Sequence, residues 1–325
     1  MRTMIAKIDK DAAAVFLLLL VVGAYFSPLV FEGNTLFSRD LTVLIYPLKH
    51  FIFKSYHEGV LPFWYPSVYG GTPFFAEMYP GALYPPNLIF FLNDFTTAFN
   101  WFYIFHYALL GLSVYALCRY WGISVGGALC SALTALLGGF FLSLPGAGHI
   151  FYSSVWLPSI FYCAQRYLQE NKISHFLGAV FCLSCQILGG SPEFCALTLV
   201  TLFFWSLTLV PEARWGQKVL RCVPTLALMV LLSCGVTAIQ LVPTFFLTKE
   251  STRSQGLDFD AHSTWSLEPR DLATLLVPKN YAGYMNAEYY STEPFSLFQS
   301  LHMGLFAAFF LCLGFLHLKH SSIRF

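Results

Sequence analysis

R-D-L-T-V-L-I-Y-P (39–47), G-V-L-P-F-W-Y-P-S-V-Y-G-G-T-P-F-F-A-E-M-Y-P-G (59–81) and A-L-Y-P-P-N (82–87) belong to one turn-rich, aromatic stretch between two long apolar runs. The run before it, 12–31, carries no charge, and neither does the run after it, 95–118. A segment so placed is a structured loop held against a membrane. An acid just past the end of the first span, followed by a Pro/Gly/aromatic platform, is the arrangement required of an active site that meets a lipid-borne substrate.

Composition fixes the class. Hydrophobic residues make up 57% of the chain and charged residues 11%, against about a quarter charged in soluble domains. The net charge of +1 gives no reason to expect a nucleic-acid partner. Uncharged runs lie at 12–31, 95–118, 173–192, 194–211, 222–248 and 294–318. A longer one, 120–165, divides at Pro145-Gly146-Ala147-Gly148-His149. Crossing the hydrocarbon takes roughly 20 residues, so an all-α polytopic bundle of about eight spans is expected. The first run is read as a span and not as a cleaved signal peptide, because no small-residue cleavage site precedes its acidic-aromatic exit.

With the N-terminus cytoplasmic, eleven of the eighteen Lys and Arg residues fall in short inner segments, and the other seven lie in two long outer loops, 32–94 and 248–296. That distribution follows the positive-inside bias. None of the nine cysteines lies in an outer loop, so no disulfide framework is expected. Cys182 and Cys185 are spaced to stack on one helix face, a packing arrangement.

Within the first outer loop, apolar residues recur at 41, 44, 45, 48, 51, 52 and 56, while Lys49, His50, Lys54, His57 and Glu58 fall largely opposite. This is the period of an amphipathic interfacial helix. Pro47 starts or kinks it and Gly59 ends it. The prolines and glycines from Pro62 to Pro86 then exclude long regular structure. In the second loop, Glu268–Leu276 is read as a short helix with Pro269 in its first turn and Pro278 after its end.

Asp40 is the leading candidate for chemistry. At the membrane boundary a carboxylate can take the proton of an attacking hydroxyl, an effect worth about 10²- to 10⁴-fold. The competing reading is an N-cap on the following helix. Glu77, His149 and Glu193 fall at outer turns, where they can converge on Asp40 or simply face water. Glu193 interrupts an otherwise apolar stretch at G-G-S-P-E, and charges at membrane depth usually face a cavity or a partner. Arg39, Arg253, Arg270 and Lys279 are outer cations able to hold a phosphate, or else to snorkel from span ends. Asp40 and Glu193 have the oxygen ligands to share a divalent cation such as Mg or Mn, whereas a carboxylate base needs none; both stay open.

On these residues the chain resembles the bacterial YfhO-like membrane proteins, of the GT-C class of polytopic glycosyltransferases. The resemblance runs through R-D-L (39–41) with Y-P (46–47), G-V-L-P-F-W-Y-P (59–66), G-G-T-P-F-F-A-E (70–77) and Y-P-P-N (84–87). It continues in G-H (148–149) with W-L-P (156–158), G-G-S-P-E (189–193), L-E-P-R-D-L-A-T-L-L-V-P (267–278) and Y-Y (289–290). It implies inverting transfer of a sugar from a polyprenyl-phosphate carrier to a hydroxyl on an outer-face glycan, lipid or protein, with Asp40 as the active-site acid. It also implies the bacterial plasma membrane and a role in cell-envelope glycan or teichoic-acid-type modification. Two departures stand out. Tyr65 occupies a position where Asn is common, and residues 1–325 read as a single membrane module without the family's C-terminal outer domain, so that a partner supplying the missing half is one expectation. The alternatives are a transporter or flippase and an inactive truncated subunit.

The proposed orientation makes a direct prediction. Single cysteines introduced at positions 40 and 260 should react with a membrane-impermeant maleimide added outside intact cells. Labelling only after the cytoplasmic face is opened reverses the topology.

Overall fold

A computed structural model of the chain describes residues 2–37, 40–92, 94–209 and 215–256, with isolated positions beyond them. The helix expected at Glu268–Leu276 and the span expected at 294–318 fall almost wholly outside the described residues. Two compact units are present: Met1–Ala132 with Gly146–Ser254, and Leu133–Pro145 with Gln255–Phe325. In the second, the Gly139 amide bonds the His302 carbonyl at 2.6 Å beside the short helix α6 (Gly139–Ser143).

The described residues are mostly helical and form no strand beyond one isolated bridge between Tyr65 and Thr72. In chain order come α1 (Arg2–Tyr25), α2 (Ser27–Phe31), α3 (Tyr46–His57), α4 (Phe95–Tyr120), α5 (Val125–Leu137), then α6, α7 (Gly148–Ser154) and α8 (Leu157–Glu170). These are followed by α9 (Ile173–Leu188), α10 (Pro192–Thr208), α11 (Trp215–Val236) and α12 (Ala238–Glu250). By length and composition, three helical stretches among the described residues can cross a membrane: Phe95–Tyr120, Val125–Glu170 and Val219–Val236. The second is interrupted by Gly138 and by a 3₁₀ turn at Leu144–Ala147, which contains the expected break at Pro145-Gly146. The run 222–248, expected as one span, is two helices that meet at Thr237.

α4 is the central post. Phe95, Phe99, Phe102, Tyr103, His106, Tyr107 and Leu110 are all buried along it, at helical spacings that stack them on neighbouring turns. Its start is capped by Asp94, whose carboxylate accepts from the Thr97 amide at 2.7 Å. One turn on, Asn100 donates to the Leu29 and Asn34 carbonyls and accepts from Thr35, fixing the chain's exit from α2. At the far end Arg119 grips Asp11 of α1 with two nitrogens, at 2.6 and 3.1 Å, while Tyr115 donates to the same carboxylate. The two-pronged geometry gives this pair direction as well as charge.

That far end also carries several basic residues. Arg166 pairs with Glu170 and lies over the Tyr120 ring, and Arg221 donates to the Leu168 carbonyl. Lys172 and His175 share Glu170 with it. The first long loop closes over the opposite end. Gln240 and Thr244 of α12 donate to the Phe75 and Ala76 carbonyls at 2.7 and 2.8 Å. Tyr56 of α3 donates to the Ala82 carbonyl at 2.6 Å.

After Asp40 a π turn, Leu41–Ile45, runs into α3, with Glu58 at its C-cap and Gly59 at φ +67°. Leu41, Ile45, Leu48, Ile52 and Ser55 are buried; His50, Lys54, His57 and Glu58 are exposed. One assignment is corrected. Lys49, placed above on the polar side, is 2% exposed and belongs to the buried face.

Close backbone approach locks this end together. Gly190, at φ +99°, lies so near the loop that a β-carbon there would stand 2.6 Å from the Met78 carbonyl. Gly190→Ala therefore meets both a steric and a conformational penalty, expected to exceed about 1 kcal/mol. Thermal unfolding of the purified variant in detergent checks this, and a melting temperature equal to wild type refutes it.

Candidate functional site at the loop end

Asp40 takes helical backbone angles (φ −64°, ψ −24°) immediately before the π turn, and its side chain makes no capping hydrogen bond. The cap reading is thereby corrected. The carboxylate faces solvent, exposed at the mouth of the loop. Its charge reaches Tyr79, whose pKa rises chiefly through burial and further through Asp40.

Tyr79 links Asp40 to the next group. Its ring lies 4.6 Å from the His149 imidazole, and His149 in turn senses the charge of Glu193. Glu193 is exposed in the first turn of α10, where the Ser191 hydroxyl donates to its Oε2 at 3.1 Å and accepts from the Phe194 amide. A negative charge is favourable at a helix start, so Glu193 also has a structural task. The structure thus brings Asp40, His149 and Glu193 into one neighbourhood through Tyr79. Glu77 is half-buried next to the Ala76 carbonyl that α12 holds; burial raises its pKa, and a hydrogen bond with Thr72 partly offsets the rise. Arg39, Arg270 and Lys279 lie outside the described residues, and Arg253 is placed only by its backbone in the 3₁₀ turn Thr252–Gln255. No cluster of three or more His, Cys, Asp or Glu able to hold a metal occurs among the described residues.

A small pocket lies beside this chain of residues, lined by Ile45, Leu48, Lys49, Tyr79, Pro80, His149 and Tyr152. With a volume of about 10 Å³, it holds one water-sized group. Lys49 is among the lining residues, with its ammonium turned to protein partners. The ammonium donates to the Pro80 carbonyl at 3.1 Å and to Asn87 Oδ1 at 3.2 Å. It lies over the rings of Tyr152 (4.7 Å), Phe102 (4.8 Å) and Tyr84 (6.0 Å). Asn87 is itself set by donating to the Gly81 carbonyl at 2.6 Å. Tyr84 is held behind by Trp156 Nε1 at 2.7 Å and by His106 Nε2 at 2.7 Å.

Sequence reasoning passed over Lys49, although the signal was available. Position 49 follows Ile45 by four residues and precedes Ile52 by three, so it shares their face. Grouping it by charge with Lys54 hid that register. Asn87 and Tyr84 sit in Y-P-P-N, whose turn chemistry was visible but whose side-chain targets were not.

No family model matches the chain, and neither a curated protein nor a solved structure shows significant similarity to it.

Burial lowers the Lys49 pKa from 10.5 to about 7, which fixes the sign of a pH effect. Below about 7 the side chain is charged in both states, and the folded protein bears the full cost of desolvation. From about 7 to 10.5 the unfolded chain keeps a proton that the folded protein has released, so stability rises with pH across that window. Lys49→Met should flatten the rise, read as melting temperature against pH; an unchanged slope in the variant contradicts the assignment.

Proposed function

We propose that this protein is a membrane glycosyltransferase that moves a sugar from a polyprenyl-phosphate carrier to an acceptor hydroxyl on the outer face of a bacterial plasma membrane. In this reading the chain crosses the membrane about eight times with its N-terminus inside, and α3 rests at the headgroup level. The outer-face acceptor belongs to cell-envelope glycan or teichoic-acid-type chemistry. The observation that carries the proposal is the exposed Asp40 carboxylate, uncommitted to capping, whose charge acts on Tyr79 of the loop.

The chemistry follows from that placement. The acceptor hydroxyl oxygen forms a bond to the anomeric carbon as the bond from that carbon to the carrier phosphate breaks. The hydroxyl proton passes to Asp40, and the phosphate leaves with the electron pair, inverting the anomeric configuration. Tyr79 keeps its proton near neutrality and can donate a hydrogen bond beside the carboxylate, while His149 and Glu193 border the same space. A transporter or flippase is the second reading. It is favoured by Lys49, a buried ionisable group of the sort that marks pathways through membrane proteins. Uptake of substrate into proteoliposomes without sugar transfer would select it.

Two substitutions at Asp40 test the transferase reading. Because its side chain caps nothing, Asp40→Asn and Asp40→Ala should both fold with stability within about 0.5 kcal/mol of wild type. Both should lose about two or more orders of magnitude in turnover of radiolabelled polyprenyl-phosphate sugar. Wild-type turnover in a well-folded Asp40→Asn protein removes Asp40 from the chemistry.

A further inference from the structure

α8 and α9 are neighbours in sequence and in space, joined by the tight turn Asn171-Lys172, in which Asn171 takes left-handed angles (φ 53°, ψ 32°). Ring contacts fix their register. Tyr167 meets Phe176 at 5.0 Å near the turn, and Trp156 meets Phe181 at 6.1 Å toward the other end. Cys163 lies between Trp156 and Tyr167 on α8, and Cys182 follows Phe181 on α9. The two thiols share a hydrogen bond across the helices.

A second observation comes from the backbone. Gly178 stands one turn before Cys182, and a β-carbon there would lie 3.2 Å from Cys163 Sγ and 3.8 Å from its Cβ. The small residue lets α9 come close to the Cys163 side chain. Cysteine inside a bundle is ordinarily a small apolar filler, a role that asks nothing of a neighbouring sulfur. Here the sulfurs are directed at each other, which packing alone does not require. Cys182 and Cys185 hang from one helix, whereas Cys163 reaches Cys182 from another. Cys163 is half-buried and Cys182 buried, so an oxidant meets Cys163 first.

We infer that Cys163 and Cys182 form a redox-sensitive dithiol whose oxidation ties α8 to α9 through a disulfide. With hydrogen peroxide as the oxidant, the Cys163 sulfur attacks a peroxide oxygen. The O–O bond breaks, one water leaves, and Cys163 becomes a sulfenic acid. The Cys182 sulfur then attacks the Cys163 sulfur, the S–O bond breaks, and a second water carries off the oxygen. The two thiols lose two electrons and two protons, and the peroxide is reduced to two waters. Reduction by an external dithiol reverses the bond by thiol–disulfide exchange. Closing the chain between positions 163 and 182 constrains the unfolded state, so the oxidised protein is the more stable form.

The full-length protein in detergent, first reduced and then exposed to stepped hydrogen peroxide, tests the inference. Remaining thiols are blocked with N-ethylmaleimide, and the digested protein is mapped by mass spectrometry. The expected result is a peptide pair joined from Cys163 to Cys182. Alkylation should be lost equally at both positions and recovered at both with dithiothreitol. The melting temperature should rise with the crosslinked fraction and fall back on reduction. In Cys163→Ser the crosslink and the rise should both vanish, whereas Cys185→Ser should keep them. Three results overturn the dithiol: Cys182 joined to Cys185, both thiols still free at a dose that has oxidised the exposed Cys130, or a crosslinked protein that melts as the reduced one does. The decisive map is made on wild type, so a variant that fails to fold leaves the test intact.

Discussion

Lys49 is the point on which the loop end of this molecule turns. Its side chain leaves α3, passes under the Pro80 carbonyl and ends among rings from Tyr84, Phe102 and Tyr152. One residue thereby joins α3, the 76–87 turns, α4 and α7. An apolar residue there would fill the space but leave Asn87 Oδ1 short of a donor, at a cost of about 1–3 kcal/mol. The aromatic cage and the polar turn are thus two halves of one solution. The rings make the cation tolerable, and the cation gives the turn carbonyl and the amide a partner.

The same interaction explains why a loop rich in proline and glycine holds a definite shape. Its backbone lacks a sheet or long helix to satisfy its polar groups, and buried carbonyls must find donors. They find side chains instead: Lys49 for Pro80, Asn87 for Gly81, Tyr56 for Ala82, Gln240 for Phe75 and Thr244 for Ala76. These donors come from α3, α12 and the loop itself, so the loop is pinned from several directions. A wall built in this way keeps Tyr79 and Asp40 in register with His149, which lies on a separate helix.

What the sequence disclosed followed the strength of the local signal. Long uncharged runs disclosed helices, because apolar length has one dominant outcome. Arg166, Lys172 and Arg221 meet around the end of α8 through Glu170 and the Leu168 carbonyl. Asp40, His149 and Glu193 were legible as candidates because each breaks an apolar context. Their convergence through Tyr79 was less so, since contacts between positions 79 and 149 depend on tertiary packing and leave no periodic trace. The Asp40 cap reading failed because propensity describes average helix starts, whereas this one begins in a π turn with the acid already helical. Lys49 failed for a different reason. Its register was legible but its charge argued for water, and only the assembled cage reverses that preference.

The glycines at the outer turns complete the argument. A β-carbon at Gly148 would stand 2.8 Å from both Ile45 Cδ1 and the Tyr152 hydroxyl, and one at Gly190 would meet the Met78 carbonyl. Both positions border the pocket from the bundle side, where α7 and the α9–α10 turn press against α3 and the loop. Gly190 lets its turn approach the Met78 backbone, and Gly148 leaves room for the Ile45 and Tyr152 side chains. Ser153 reinforces the fit, donating to the Gln186 carbonyl and accepting from the Ser191 amide. Larger residues at those turns would push the loop outward and open the cage to water. Hydration would then return the Lys49 ammonium toward ordinary lysine behaviour. The burial of Lys49 and the close packing around it are therefore one property, set by small residues far from Lys49 in sequence.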